Sequence, residues 1–155
     1  MDIRRASVHD ADRINDLVRQ VAAVHNRIRP DLFKAGQKKY TDAELLDIIR
    51  DDQKPIFVAE ENGQVLGYAF CVFQQHVNDN VLTDVKTLYI DDLCVDQSAR
   101  GKGVGRALYD YAVRFARESG CYNLTPNVWA GNDSAQRFYE AMGMKPQKTG
   151  MECIL

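Results

Sequence analysis

Seven consecutive residues, Arg100-Gly101-Lys102-Gly103-Val104-Gly105-Arg106, combine three cations with three glycines in one short turn. An apolar strand-like run, Leu88 to Val95, precedes them, and an amphipathic run, Val104 to Ser119, follows. Free backbone N–H groups at a helix start, backed by the positive end of the helix dipole, favour an anion. Glycine lets the backbone approach such a ligand without a Cβ in the way. The chemistry these residues suit is the holding of a phosphate ester. The bland alternative is a Gly-rich turn without a ligand, for which so many glycines are a costly way to open a helix.

Spacing removes two familiar phosphate loops. A P-loop ends in Gly-Lys-Ser/Thr, whereas Gly105 is followed by Arg106 and Ala107. A dinucleotide fingerprint needs Gly-x-Gly-x-x-Gly. Counting from Gly101 the sixth residue is Arg106, and from Gly103 it is Leu108. The pattern that remains is Arg-x-x-Gly-x-Gly.

Asp91 and Asp92 stand side by side in the apolar run that leads to this turn. Strand alternation puts them on opposite faces, unless a bulge re-aims one of them. One carboxylate then faces the core or a cleft, where it is expensive unless used or paired. The alternative is a solvated pair at a strand end.

The elements that must position these groups alternate between α and β. Asp2 to Ala6 reads as a first strand. Ser7 and Asp10 open a helix with Ile14, Leu17, Val18, Val21 and Val24 at helical spacing. His25 to Tyr40 is irregular. Thr41 or Asp42 caps a second helix bearing Leu45, Leu46, Ile48 and Ile49. Pro55 to Glu61 and Val65 to Gln75 form a hairpin about Asn62-Gly63. Val85 to Val95 is a fourth strand. The helix after the glycines carries Val104, Leu108, Tyr111, Ala112 and Phe115 on one stripe and stops at Gly120. Leu124 to Trp129 is a fifth strand, in which Pro126 cannot donate a ladder bond. Asp133 to Met142 is a helix, and Met151 to Leu155 reads as a final strand. The fold class is a mixed α/β single domain over residues 1–155.

The chain has 155 residues, 27% of them charged, with a net charge of -2. Length and charge suit one domain with a real core and no general affinity for nucleic acid. No apolar run approaches a membrane span, and Met1-Asp2-Ile3-Arg4-Arg5 lacks an apolar signal region. Cys71, Cys94, Cys121 and Cys153 lack Cys-x-x-Cys spacing, and the three His share no metal-ligand spacing. Cys71, Cys94 and Cys153 fall in apolar strand-like runs that suit buried free thiols. The expectation is a reduced, cytoplasmic protein without a metal or a disulfide framework.

Arg100-x-x-Gly103-x-Gly105 after Leu93-Cys94-Val95 resembles the acetyl-CoA loop of the GNAT acetyltransferase superfamily. Asn127-Val128-Trp129-Ala130-Gly131-Asn132 and the following Phe138-Tyr139-Glu140…Gly143 resemble its next strand and helix. The resemblance implies one central, mostly antiparallel sheet flanked by helices, with fourth and fifth strands splayed to admit the coenzyme arm. It implies acetyl-CoA as co-substrate. Arg100, Gly101, Lys102, Gly103, Val104, Gly105 and Arg106 would grip the pyrophosphate, and Leu93, Cys94 and Val95 would pair with the pantetheine amides. Asn132 caps the last helix and would touch the coenzyme arm. Tyr139 would protonate the departing sulfur, with aromatic packing as its alternative.

Acetyl transfer also needs a base, since a free alkyl amine has a pKa of about 10.4. The string Tyr-Ile-Asp-Asp-Leu-Cys-Val is similar to that of diamine acetyltransferases, which makes Asp91 the closer match, with Asp92 beside it. Acetyltransferases of ribosomal-protein N-termini usually carry Glu-Val-Arg in the fifth strand, with that Glu as the base, where this chain has Asn127-Val128-Trp129. The family's acceptor region falls on the segment holding His25, Arg29 and Phe33, with Trp129 as a further wall, or these residues merely pack. The resemblance implies direct transfer to the primary amine of a small molecule. Alternatives are a protein lysine or N-terminal amine, or a coenzyme-binding module without turnover. A homodimer is common in the family.

Overall fold

The computed structural model describes residues 1–155. The elements run β1 (Asp2–Arg5), α1 (Ala11–Ile28), α2 (Asp42–Arg50), β2 (Ile56–Glu61), β3 (Gln64–Gln75) and β4 (Lys86–Val95). They continue with α3 (Val104–Glu118), β5 (Asn123–Pro126) and α4 (Asp133–Ala141). One sheet has the order β1-β2-β3-β4-β5, antiparallel except for the parallel β4–β5 pair. This is the mixed α/β sheet anticipated from the motifs.

Local chemistry accounts for the boundaries. Asn62 and Gly63 take φ 53° and 77°, the left-handed pair that a tight hairpin between β2 and β3 demands. Thr41 caps α2 by accepting the Glu44 amide at 3.2 Å, and Glu44 returns the contact to the Thr41 amide at 2.8 Å. Ahead of α1, Asp10 accepts the Ser7 amide at 2.7 Å. It also takes two bonds from the Arg4 guanidinium, at 2.8 and 2.9 Å. These contacts hold the Asp10 carboxyl down at about 2, with the Arg4 bond as the largest cause. A carboxyl depressed on folding stabilises the protein fully above its ordinary pKa and loses that contribution as pH falls through the folded value. Asp10→Asn should therefore cost about 2 kcal/mol at neutral pH and flatten the stability loss between pH 4 and 2 seen in urea titrations.

Alternating side chains build a core on each face. Ile56, Val58, Tyr68 and Phe70 pack under α1 and α2 with Ile14, Leu17 and Leu45. Phe57, Ala59, Ala69 and Cys71 pack under α3 with Leu108 and Ala112. Gly67 marks where β3 meets β4 and α3 most closely. A Cβ there would lie 2.6 Å from the Cys94 carbonyl oxygen and 3.3 Å from Leu108 and Val104. Gly67→Ala is expected to destabilise by about 1–3 kcal/mol, read as a lower urea midpoint.

Four expectations need correction. α1 continues to Ile28, so His25 sits on its last turn, because the backbone ladder runs on past Val24 to the Arg29 amide, which donates to the His25 carbonyl at 2.8 Å. β5 ends at Pro126, so Trp129 lies beyond the strand; proline removes the next ladder donor. Met151–Leu155 makes no strand: none of residues 145–155 enters a backbone hydrogen bond. Cys153 is accordingly exposed, whereas Cys71 and Cys94 are buried.

Candidate active site

The glycine loop joins β4 to α3 by a short 3-10 turn, Gln97–Ala99. Gly101 and Gly103 take φ 76° and 79°, and Gly103 stands at the N-terminal cap of α3. A Cβ at either would meet nothing within 4 Å, so backbone conformation, not crowding, selects glycine there. Gly105 is different: its Cβ would lie 3.3 Å from the Phe138 ring, so α3 and α4 touch at this point. The first amide of the helix to find a carbonyl is Ala107, on Gly103 at 3.0 Å; those of residues 100–106 have no acceptor in the protein. Arg100 and Lys102 are exposed, and Arg106 is 3.7 Å from Asp110. Open space, free donors and cations converge as a pyrophosphate requires.

β4 presents a free edge leading to this loop. Its pairing with β5 covers only Thr87–Ile90 against Asn123–Pro126. From Asp91 to Val95 the strand pairs with β3 alone, Leu93, Cys94 and Val95 opposite Ala69, Tyr68 and Gly67. The fourth and fifth strands therefore part at Ile90 and Pro126, and the edge beyond can bind an extended amide chain.

The bulge decides where the carboxylates go. Phe70 pairs with Asp92 and Cys71 with Ile90, leaving Asp91 as the extra residue. Leu88 and Ile90 face the α3 core while Cys94 faces the α1 core. The expected opposite facing of Asp91 and Asp92 does not hold, because the inserted residue resets the alternation. Both carboxylates reach groups on the α1–α2 face. Tyr68 donates to Asp92 at 2.7 Å. Lys39 pairs with Asp91 at 2.6 Å, and the Tyr40 hydroxyl lies 3.4 Å from the same oxygen. Tyr40 in turn stacks on Phe70, centroids 5.8 Å apart. Burial pushes the Asp92 carboxyl up to about 6, against the lowering effect of the Tyr68 hydrogen bond. Burial opposes the Lys39 charge, but the Asp91 contact outweighs it and raises the ammonium above its ordinary value.

Tyr139 stands on α4. It packs against Phe138 at 5.1 Å between centroids and against the α3 core. Burial first, then the negative charge of Asp92, pushes its hydroxyl well above the ordinary tyrosine value. It keeps its proton throughout the physiological range. Asn132 caps α4 by accepting the Ala135 amide at 3.2 Å. Near α1's end, Phe33 lies 5.0 Å from His25 and 5.3 Å from Trp129, which is 42% exposed. Burial, helped by Lys39, lowers the His25 pKa. Arg29 is engaged by Asp31 and Glu152.

The family model of the acetyltransferase (GNAT) family matches residues 21–144. The chain belongs to this family. It is an acyl-CoA-dependent N-acetyltransferase. YhfO of Bacillus subtilis, an uncharacterized N-acetyltransferase, is 31% identical over 144 residues, covering 92% of this chain and 89% of YhfO. The crystal structure of a mutant of the BH1408 protein from Bacillus halodurans superposes with a TM-score of 0.95 at 28% identity, covering 100% of this chain and 99% of that one. Aminoglycoside N-acetyltransferase AAC(6')-Iy in complex with CoA shares the fold, with a TM-score of 0.75 at 18% identity over 99% of this chain and 98% of that one.

Two residues about the candidate site, Lys39 and Tyr68, carry no local sequence signal. Lys39 meets Asp91 across a separation of 52 residues, from an irregular segment. Tyr68 is an ordinary strand aromatic until the bulge turns Asp92 toward it. Asp96 anchors the exit of β4. It accepts the Ser98 hydroxyl at 2.6 Å and the Ser98 amide at 2.8 Å, and it is also held by Arg13 of α1. The Ser98 contacts, then Arg13, hold its carboxyl well below the usual range. An Asp directly after a strand and two before a Ser is a readable turn signal.

Proposed function

We propose that this enzyme transfers acetyl from acetyl-CoA directly to the primary amine of a small molecule, with Asp92 as base and Tyr139 as acid. The observation that carries the reading is the free edge of β4 beyond Ile90, which leads to the glycine loop and bears Asp92, its carboxyl raised by burial. Acetyl-CoA, when bound, supplies an activated thioester. Amides of residues 100–106, with Arg100, Lys102 and Arg106, hold its pyrophosphate, and Leu93 to Val95 align its arm. Asn132 offers a further polar contact beside the arm.

With a pKa of about 6, Asp92 is ionised at neutral pH and accepts the amine proton, directly or through water. Its Tyr68 contact fixes the carboxylate's orientation. Asp91 is already neutralised by Lys39, which disfavours it as the base. Tyr139 gives its proton to the departing sulfur. A backbone N–H of β4 polarises the reacting carbonyl. Buried Cys94, its thiol pushed up to about 12, does not suit a covalent route. His25, Phe33 and Trp129 form an aromatic cluster that suits one wall of a small acceptor's site, with Arg29 just after the helix that carries His25.

Tyr139→Phe keeps the packing and removes the proton. It should lower kcat by about 10²-fold with the KM for acetyl-CoA little changed. Unchanged turnover in a thiol-release assay would remove Tyr139 from the mechanism.

A further inference from the structure

Lys39 brings a primary amine to the point where β4 loses its β5 partner. Its ammonium pairs with Asp91 at 2.6 Å and lies 5.4 Å from the centre of the Tyr40 ring. Asp91 directly follows Ile90, the last residue of β4 to pair with β5, and Asp92 comes next. Burial is the main influence on the His25, Tyr89 and Asp92 side chains, yet the Lys39 charge acts on all three. One ammonium is thus within Coulombic reach of the aromatic cluster, of the paired part of β4 and of the proposed base. It is carried on a flexible four-carbon stem by the irregular segment between α1 and α2. Its neighbour Lys38 is bound instead to Asp42, in the first turn of α2, at 2.8 Å.

An acceptor amine has to arrive at this same place. With the coenzyme arm aligned along Leu93 to Val95, as proposed above, the thioester stands by the parting of the strands and Lys39 is the amine nearest the carboxylates there. We propose that Lys39 is itself an acceptor, acetylated within its own chain when acetyl-CoA is bound. The inference rests on the proposed function and adds a modification site to it.

The ammonium gives a proton to the Asp91 carboxylate that it already touches. The freed lone pair forms the N–C bond to the thioester carbonyl, whose π electrons move to oxygen. As they return, the C–S bond breaks and the sulfur keeps its electron pair. Of the ammonium's three protons, one stays on the amide, one replaces the proton that Tyr139 gives to the sulfur, and one passes from Asp91 to solvent. Burial favours the neutral amine, but the Asp91 contact outweighs it, so the transfer is slow. It occurs once per chain, because the amide formed is no longer a nucleophile. That amide carries no charge, and the Lys39–Asp91 ion pair is lost.

The test is incubation of the full chain with saturating acetyl-CoA and no added amine, each lysine being followed by peptide mass spectrometry. Lys38 is the internal standard. It is also ion-paired, and its side chain is 35% exposed against 43% for Lys39, so reaction with free acetyl-CoA would label the two alike. Lys39 should be acetylated at least about 10²-fold faster than Lys38, through its proximity to the bound thioester. The rate should be independent of protein concentration and lowered by Tyr139→Phe. Lys39→Arg should remove the fast label without moving it to Lys38. Labelling of Lys39 no faster than Lys38, or a rate that falls in proportion to protein concentration, would overturn the proposal. An unmodified Lys39 in an enzyme that acetylates a small amine overturns this inference alone. No acetylation of either kind overturns the proposed function with it.

Discussion

Asp92→Asn is expected to lower kcat by about 10²–10⁴-fold, the usual contribution of a general base. The substitution keeps the shape of the side chain and can still accept the Tyr68 hydrogen bond, so packing and coenzyme affinity should change little. In the native enzyme the base must be ionised. Its pKa of about 6 therefore gives kcat/KM a limb that rises with pH through about 6 and then levels. That limb should vanish in Asp92→Asn, leaving a low, flat rate. Asp91→Asn is the informative control. It releases Lys39 from its ion pair but leaves the proposed base in place, so the limb should persist. An Asp92→Asn enzyme with native turnover and an intact acid limb would transfer the role to another group.

The second large effect concerns the coenzyme. Gly103→Asp places a carboxylate at the N-terminal cap of α3, where phosphate oxygens would lie. The protein has room for it, since nothing lies within 4 Å of a Cβ there. Two costs remain. The left-handed φ of 79° strains any side-chain-bearing residue by about 1–2 kcal/mol. The new charge also repels the phosphates and competes for the free amides, each charge-assisted bond being worth about 1.5–3 kcal/mol. Acetyl-CoA affinity should fall by about 10²–10⁴-fold in calorimetry, while Gly103→Ala, which adds only the strain, should fall far less. Native affinity in Gly103→Asp would place the pyrophosphate elsewhere.

These effects trace to features of unequal visibility in the sequence. The glycine loop was legible because glycine spacing reports backbone conformation directly: Gly101 and Gly103 are where φ turns positive. The hairpin at Asn62-Gly63 and the cap at Thr41 follow from equally local chemistry. The parting of β4 and β5 was foreshadowed by Pro126, the last residue of β5 to pair. What stayed hidden is non-local. The bulge at Asp91 arises from register against β3, and it reverses the facing that strict alternation assigns. Lys39, Tyr40 and Tyr68 come to the carboxylates from segments with no chemical pattern of their own. Gly67 looks like a weak strand residue until the Cys94 carbonyl is seen 2.6 Å from where its Cβ would stand. The last segment has a strand's composition but no partner within its own chain.

We propose that the site formed by the loop, Asp92 and Tyr139 moves acetyl from acetyl-CoA to a small primary amine. This is tested most directly by thiol release from acetyl-CoA with polyamines, amino acids, aminoglycosides and lysine peptides as acceptors, each product checked by mass spectrometry. At least one small amine should gain an acetyl group, at a rate that Asp92→Asn and Tyr139→Phe both depress. Acetylation confined to peptides, or thiol release from no amine at all, would contradict it.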